Sequence, residues 1–208
     1  MPHKLFSLAY FPPISYWVAW MKPGTNFIDL AENYQKQSYR SRACVADPSG
    51  KKNLIVPIEH RSGVRLQTAT ADLSYSENWP LVHWRTLESS YRSSPYFEYY
   101  EDSLKALFGR QFETLADLCI ASCEWVAQEL EFDLEYEVLN EFLEAQDDEV
   151  DYRKRIHPKQ PTLLKAEEYM QVFGDRHNFV PDLSILDLLF NKGPGSYSFL
   201  LESELQGA

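Results

Sequence analysis

The stretch DRHNFVPDLSILDLLFNKGPGS, Asp175 to Ser196, decides how this chain is read, because it describes a short apolar helix held between two polar ends of defined conformation. Pro181 suits a turn or a first helical residue, and Asp182 or Ser184 can accept backbone N–H bonds at the helix start. Leu183, Leu186 and Phe190, with Ile185 and Leu189, recur at helical spacing. Asn191-Lys192-Gly193-Pro194 then supplies a left-handed stop and a residue that cannot continue the helix. Asp187 stands in the middle of this apolar run. Its carboxylate must reach solvent, find a partner or shift its pKa, because burying it uncompensated costs several kcal/mol or more.

Outward from this helix, the chain of 208 residues suggests one domain or two small ones, and no Gly/Ser-rich or Pro-rich linker divides it. At this size about 70% of the unfolded surface can be buried, and the 44% hydrophobic and 14% aromatic content are those of a folded protein. Twenty basic residues against 31 acidic ones give a net charge of −11, which opposes approach to nucleic acid. The deficit is uneven. Lys36, Arg40, Arg42, Lys51, Lys52, Arg61 and Arg65 crowd the first third, so a local anion site survives the global balance, with solvated surface charge as the plainer alternative.

No basic leader with an apolar core and cleavage site is evident, and no apolar run approaches the roughly 20 residues needed to span a bilayer. The expected location is the cytoplasm. Cys44, Cys119 and Cys123 form no CxxC pair, which argues against a disulfide framework or a zinc site, and Cys119 and Cys123 suit one buried helical face.

The expected architecture is mixed α/β, with a β-containing portion over residues 1–75 packed against a mainly helical portion over 76–208. Lys4 to Tyr10 and Asn26 to Leu30 read as strands, with a short helix over Ile14 to Met21 between them. Tyr39 to Ala46 and Asn53 to Glu59 read as a hairpin turning at Asp47-Pro48-Ser49-Gly50, and Arg65 to Ala71 as a further strand. Helices follow through Leu81, Trp84, Leu87 and Tyr91, from a Ser94-Pro95 start to about Phe108, and along Phe112, Leu115, Cys119, Cys123, Val126 and Leu130. Gln146 to Glu149 reads as an acidic loop.

Several residues could carry chemistry. Around a strand entry, Glu32, Gln35, Lys36, Arg40 and Arg42 could clamp a phosphate, with Lys36 and Arg40 on one face and Tyr39 pointing elsewhere; pairing of an arginine to a structural carboxylate is the alternative. Tyr10, Tyr16, Trp17 and Trp20 offer flat walls for a sugar or base, or simply a core. His83 can act as a general base near neutral pH, although a hydrogen-bonded structural histidine is the commoner case. Further polar clusters are Asp151, Tyr152, Arg153, His157, Pro158 and Lys159, and then Arg176, His177, Asn178 and Asp182. From these, His83, His177 and Asp182 are the candidates to move a proton and Arg176 a candidate to bind substrate. No GxSxG, HExxH, Walker or GxGxxG motif occurs, and the scattered histidines and acids do not point to a metal.

Four blocks carry a resemblance: YFPPISYW at Tyr10 to Trp17, ENYQKQSYRSR at Glu32 to Arg42, HWRTLESSYRSSPYFEYYED at His83 to Asp102, and YMQVFGDRHNFVPDLSILDLLFNKGP at Tyr169 to Pro194. Together they resemble the WbqC-like family, whose members are often encoded with surface-polysaccharide functions. The chain departs from that pattern at Pro12-Pro13-Ile14-Ser15 and at Ser41, where relatives favour asparagine. The resemblance implies a single bacterial domain over 1–208 and a cytoplasmic role in activated-sugar metabolism, with a small anionic metabolite or nucleotide sugar as partner. An acyl or aminoacyl transferase is the first expectation. A non-catalytic metabolite-binding or pathway-assembly module is the second, and a homodimer joined through the aromatic patch the third.

Overall fold

A computed structural model describes residues 2–59, 66–145, 149–165 and 167–206. Strand β1 (His3–Ser7) buries Lys4, Leu5 and Phe6, and helix α1 (Ile14–Met21) returns the chain to β2 (Thr25–Asp29), which pairs with β1 in parallel. Helix α1 is too short to be stable alone. Charged side chains from elsewhere hold both its ends. The Asp182 Oδ1 accepts the Ser15 amide at 2.7 Å, and the buried Lys4 ammonium donates to the carbonyls of Ala19 and Trp20 at 3.0 and 2.9 Å and to that of Lys22. Burial lowers the Lys4 pKa to about 8.

The hairpin consists of β3 (Arg42–Asp47) and β4 (Gly50–Ile55), antiparallel, with Asp47 opposite Gly50 across the expected turn. Gly50 has φ 118°, which suits glycine, and the Asp47 carboxylate accepts the Ser49 amide at 2.9 Å. Both strands differ in extent from the sequence expectation. Tyr39 to Ser41 form a 3-10 turn before β3, and β4 begins three residues earlier than read, because so tight a loop pairs the chain immediately. The strand expected over Arg65 to Ala71 is a 3-10 turn at Thr68–Thr70 with one bridge from Gln67 to Asn33. Arg61 and Arg65, and the Gln146 to Asp148 part of the expected acidic loop, lie outside the described residues.

Helix α2 (Trp79–Tyr91) starts where the Asn78 side chain accepts the Leu81 amide. Helix α3 (Phe97–Phe108) starts later than the Ser94-Pro95 signal suggests, since the Ser94 hydroxyl donates back to the Tyr91 carbonyl and the Tyr96 amide is taken by Phe190. Helix α4 (Leu115–Glu129) opens on a capping box between Thr114 and Asp117 and buries Cys119 and Cys123 as its apolar stripe requires. Three short elements follow, β5 (Glu137–Leu139), β6 (Glu149–Asp151) and α5 (Tyr152–Arg155). The sequence signals neither strand. They complete a parallel sheet in the order β5-β2-β1-β6, so the helical half contributes both outer strands. Arg153 secures this junction, reaching Asp29 of β2 at 2.5 Å and Asp151 of β6 at 2.9 Å. The chain ends with β7 (Leu164–Lys165), α6 (Ile185–Lys192), α7 (Gly195–Glu202) and β8 (Glu204–Leu205), with β7 and β8 paired antiparallel. The fold is mixed α/β.

Helix α6 is the apolar helix of the opening stretch. Ser184, not Asp182, caps it, and Asp182 turns away to α1. The same segment ties three parts of the chain together: the Ser184 amide donates to the Cys44 carbonyl, its hydroxyl to the Phe11 carbonyl, and the Ile185 amide to the Pro12 carbonyl. Asp187 is fully buried and finds partners. Tyr91, Tyr169 and Gln171 donate to it at 2.8, 2.5 and 3.0 Å. Burial pushes its carboxyl pKa up, and those three bonds draw it partly back. Asp187→Ala orphans three buried donors and is expected to lower the unfolding free energy by about 3–5 kcal/mol. The check is an earlier urea midpoint at unchanged m; a loss below about 1 kcal/mol would give the network no more weight than an exposed ion pair.

Candidate functional site

Side chains with attractive chemistry are mostly consumed by the fold. Tyr10 and Trp17 are fully buried, as are Tyr16 and Trp20 nearly so, which makes these aromatics core and removes them both as ligand walls and as a dimer patch. The Tyr10 hydroxyl bonds His83 Nδ1 at 3.0 Å, while His83 Nε2 faces the Ile55 carbonyl at 3.1 Å. The carbonyl requires a donor, so the neutral tautomer carries its proton on Nε2 and Nδ1 accepts from the phenol. His83 is therefore a structural histidine: both nitrogens are occupied and only 3% of the residue is exposed.

Arg40 and Glu32 form a buried ion pair joined by Ser7, so the pair braces β1 against the 3-10 turn and leaves neither group for a ligand. Gln35 and Lys36 are exposed on a turn that Gln37 enters with φ 60°. Lys36 and Arg40 consequently do not share a face. At the far end of the hairpin, His177 contacts the Pro48 carbonyl through Nε2 at 2.7 Å, and Arg176 beside it is exposed.

One concavity does gather opposed charges. The 3-10 turn and β4 supply Tyr39 and Lys51 on one wall, and the last residue of α5, Arg155, with His157, Gln160 and Thr162 of the run after it supplies the other. Ser15 and Asp182 form the floor of this cleft of about 130 Å³. Pro158 and Pro161 explain why the second wall is not helical, since neither fits a helix interior, and the Gln160 amide closes a turn on the His157 carbonyl at 2.9 Å. Asp182 has φ 58°, a left-handed conformation that aspartate tolerates better than most residues. Its Oδ2 accepts the Thr162 hydroxyl at 2.6 Å while Oδ1 holds the Ser15 amide. Burial raises its pKa, opposed by Thr162, Ser15 and Lys51. Burial also raises the Tyr39 phenol, with the Asp182 charge adding to the effect.

His157 Nδ1 accepts the Lys159 amide at 3.1 Å, so the neutral ring carries its proton on Nε2. Burial lowers its pKa, and the charges of Arg40, Lys159 and Arg42 lower it further. At neutral pH it is a hydrogen-bond donor directed by its own backbone. Arg42 is half-buried, with an Nε that meets no hydrogen-bond partner among the described residues. Of the sequence candidates, Asp182 lines the cleft and Arg42 stands close enough to influence its histidine. Tyr39, read as pointing away, lines it as well. Arg155 and Thr162 were missed, although they flank the proline-bounded run IHPKQP at Ile156 to Pro161.

Other depressions are larger but chemically poorer. One of about 370 Å³ has Lys165 paired with Glu204, and two beside Tyr197, of about 330 and 360 Å³, offer carboxylates and tyrosines without a cation. Among the described residues no group of three or more His, Cys, Asp or Glu is placed to hold a metal, and no helix is long and apolar enough to cross a membrane.

These features define a mixed α/β protein with a small, cation-rimmed cleft. A model of the WbqC-like protein family matches residues 9–161, and the chain belongs to that family. The match includes the hairpin wall and most of the opposite wall, and Asp182 lies beyond it. No curated protein and no solved structure gives a match.

The sealed His83 generates a pH prediction. Desolvation lowers its pKa from 6.5 to about 4, so as pH falls the unfolded chain binds the proton first. The stabilisation is complete above pH 6.5 and is lost as pH falls towards 4, a change on the order of 3 kcal/mol. Urea unfolding across that window should show the slope in the wild type and a flatter one in His83→Gln. Equal slopes in the two proteins would remove His83 as the cause.

Proposed function

We propose that this protein is a cytoplasmic bacterial enzyme of surface-polysaccharide metabolism that binds the anionic end of an activated sugar in the Asp182 cleft and transfers a small acyl or aminoacyl group. The observation that carries this reading is the convergence of Lys51, Arg155 and His157 on one concavity with a half-buried carboxylate of raised pKa. In the transfer, a sugar amine or hydroxyl attacks the carbonyl carbon of an acyl thioester. The new C–N or C–O bond forms, the thiolate departs, and Asp182 accepts the nucleophile's proton. Its raised pKa makes Asp182 a stronger base than an exposed aspartate. The cations supply charge opposite to the ligand's.

A second reading, a metabolite-binding module without turnover, is favoured by one observation: neither His83 nor His177 lines the cleft, and the imidazole that does, His157, has its basic Nδ1 taken by the Lys159 amide. Calorimetry and product assays with a panel of nucleotide sugars and acyl-coenzyme A donors separate the two. Transfer predicts that Asp182→Asn lowers kcat by about 10²-fold or more with Kd little changed. Binding without product in the wild type establishes the module instead. A panel that neither binds nor reacts overturns both.

A further inference from the structure

We propose that the rim of this cleft is a receptor for a phosphoryl or pyrophosphoryl group, held by the Lys51 ammonium from the hairpin wall and by the Nε2–H of His157 from the opposite wall. It rests on the reading of this cleft as the ligand site and names the group that the site takes. Size is the first support. At about 130 Å³ the cleft is well below the roughly 300–1,000 Å³ of pockets that enclose a drug-sized ligand, so it admits the end of a molecule and leaves the rest outside.

Direction is the second. Lys51 has no ion-pair or hydrogen-bond partner among the described residues, and His157 presents a proton on Nε2 because the Lys159 amide occupies Nδ1. These donors come from two separate segments of the lining, β4 and the run after α5. A tetrahedral phosphoryl group offers oxygens in several directions, whereas a carboxylate offers two in one plane, the geometry that a single guanidinium satisfies. Charge is the third. Against a chain of net −11, the groups around His157 are mainly cationic: Lys51 of β4, Arg42 of β3, Arg40 of the 3-10 turn, and Arg155 and Lys159 of its own segment. Two acids count against this surplus: Glu32 offsets the charge of Arg40, and Asp182 lines the cleft with both oxygens accepting bonds from Ser15 and Thr162. Tyr39 completes the hairpin wall and stays a neutral phenol.

An anion seated beside His157 favours the imidazolium and opposes the burial, the three cations and the Lys159 amide, whose bond to Nδ1 a second ring proton displaces. Binding therefore takes up a proton, and affinity rises as pH falls. Sulfate provides the test, because it stays a dianion throughout the range in which histidine titrates. The ring-proton NMR signal of His157, assigned by its absence in His157→Gln, is titrated with pH in sulfate and in chloride at matched ionic strength. The expected midpoint is higher in sulfate by about half a unit or more, and Lys51→Gln should cut that difference sharply. UDP-glucose, whose phosphodiester oxygens do not titrate here, forms the second arm. A shift with both probes supports the receptor and the activated-sugar reading together. A shift with sulfate alone supports the receptor and counts against a nucleotide sugar as its source. An unmoved midpoint with both overturns the receptor, and nucleotide-sugar binding that persists by calorimetry then leaves the broader reading standing. An undiminished shift in Lys51→Gln removes Lys51 from the site.

Discussion

The buried carboxylate of Asp187 is the constraint on which the rest of the molecule depends. A charge-bearing group with no solvent access is tolerated only where donors surround it, and here all three donors are neutral side chains. They come from distant sequence positions. Tyr91 ends α2, and Tyr169 and Gln171 belong to the loop preceding the opening stretch. The Tyr91 oxygen also accepts the Ala46 amide at 2.8 Å, which attaches the hairpin to the same network. Neutral donors make the arrangement directional, since each requires its own oxygen lone pair. A fold that satisfies all of them fixes the rotation of α6 about its axis.

That rotation determines what happens one turn upstream. With α6 fixed, Ser184 meets the carbonyls of Cys44 and Phe11, and Asp182 is delivered to the N-terminus of α1. Phe11 adopts φ 40°, an unfavourable conformation for a bulky residue, and its amide is held by the Ser122 hydroxyl at 3.3 Å. Helix α1 thus has a carboxylate at its positive end and the Lys4 ammonium at its negative end, the sense that opposes the helix dipole at both termini. An eight-residue helix gains more from such end contacts than from its own propensity.

Legibility in the sequence followed how local the cause of each feature was. Helices α1, α2 and α4 and the Asp47 to Gly50 turn are set by nearby residues, and each appears close to where periodicity and capping place it. Strands β5 and β6 are three residues long and only partly buried or exposed, so no alternation could announce them; pairing with β2 and β1 makes them strands. The sites divide in the same way. Asp182 stands out in the sequence beside a helix start, but the helix end it holds is that of α1, far away in the chain, which no local signal shows. Tyr10 and His83 have the composition of a reactive pair, and their sealing under Ile55 is a tertiary fact that residue type does not encode. Lys36 and Arg40 were separated by the reversal at Gln37, which voids any count of strand parity.

Asp182 belongs at once to the scaffold and to the cleft, and this double membership governs how the site can behave. One carboxylate oxygen closes α1 and the other orders Thr162 on the far wall, so floor and wall are held by a single group. Protonating Asp182 would weaken its acceptance of the Ser15 amide and loosen the floor, whereas Lys51 nearby favours the ionised form that keeps both bonds. An anion drawing Lys51 towards itself would release part of that support and raise the proton affinity of Asp182 further. The proton affinity of Asp182 is thus tied to the position of one lysine, so any anion placed at Lys51 would make the carboxylate more basic.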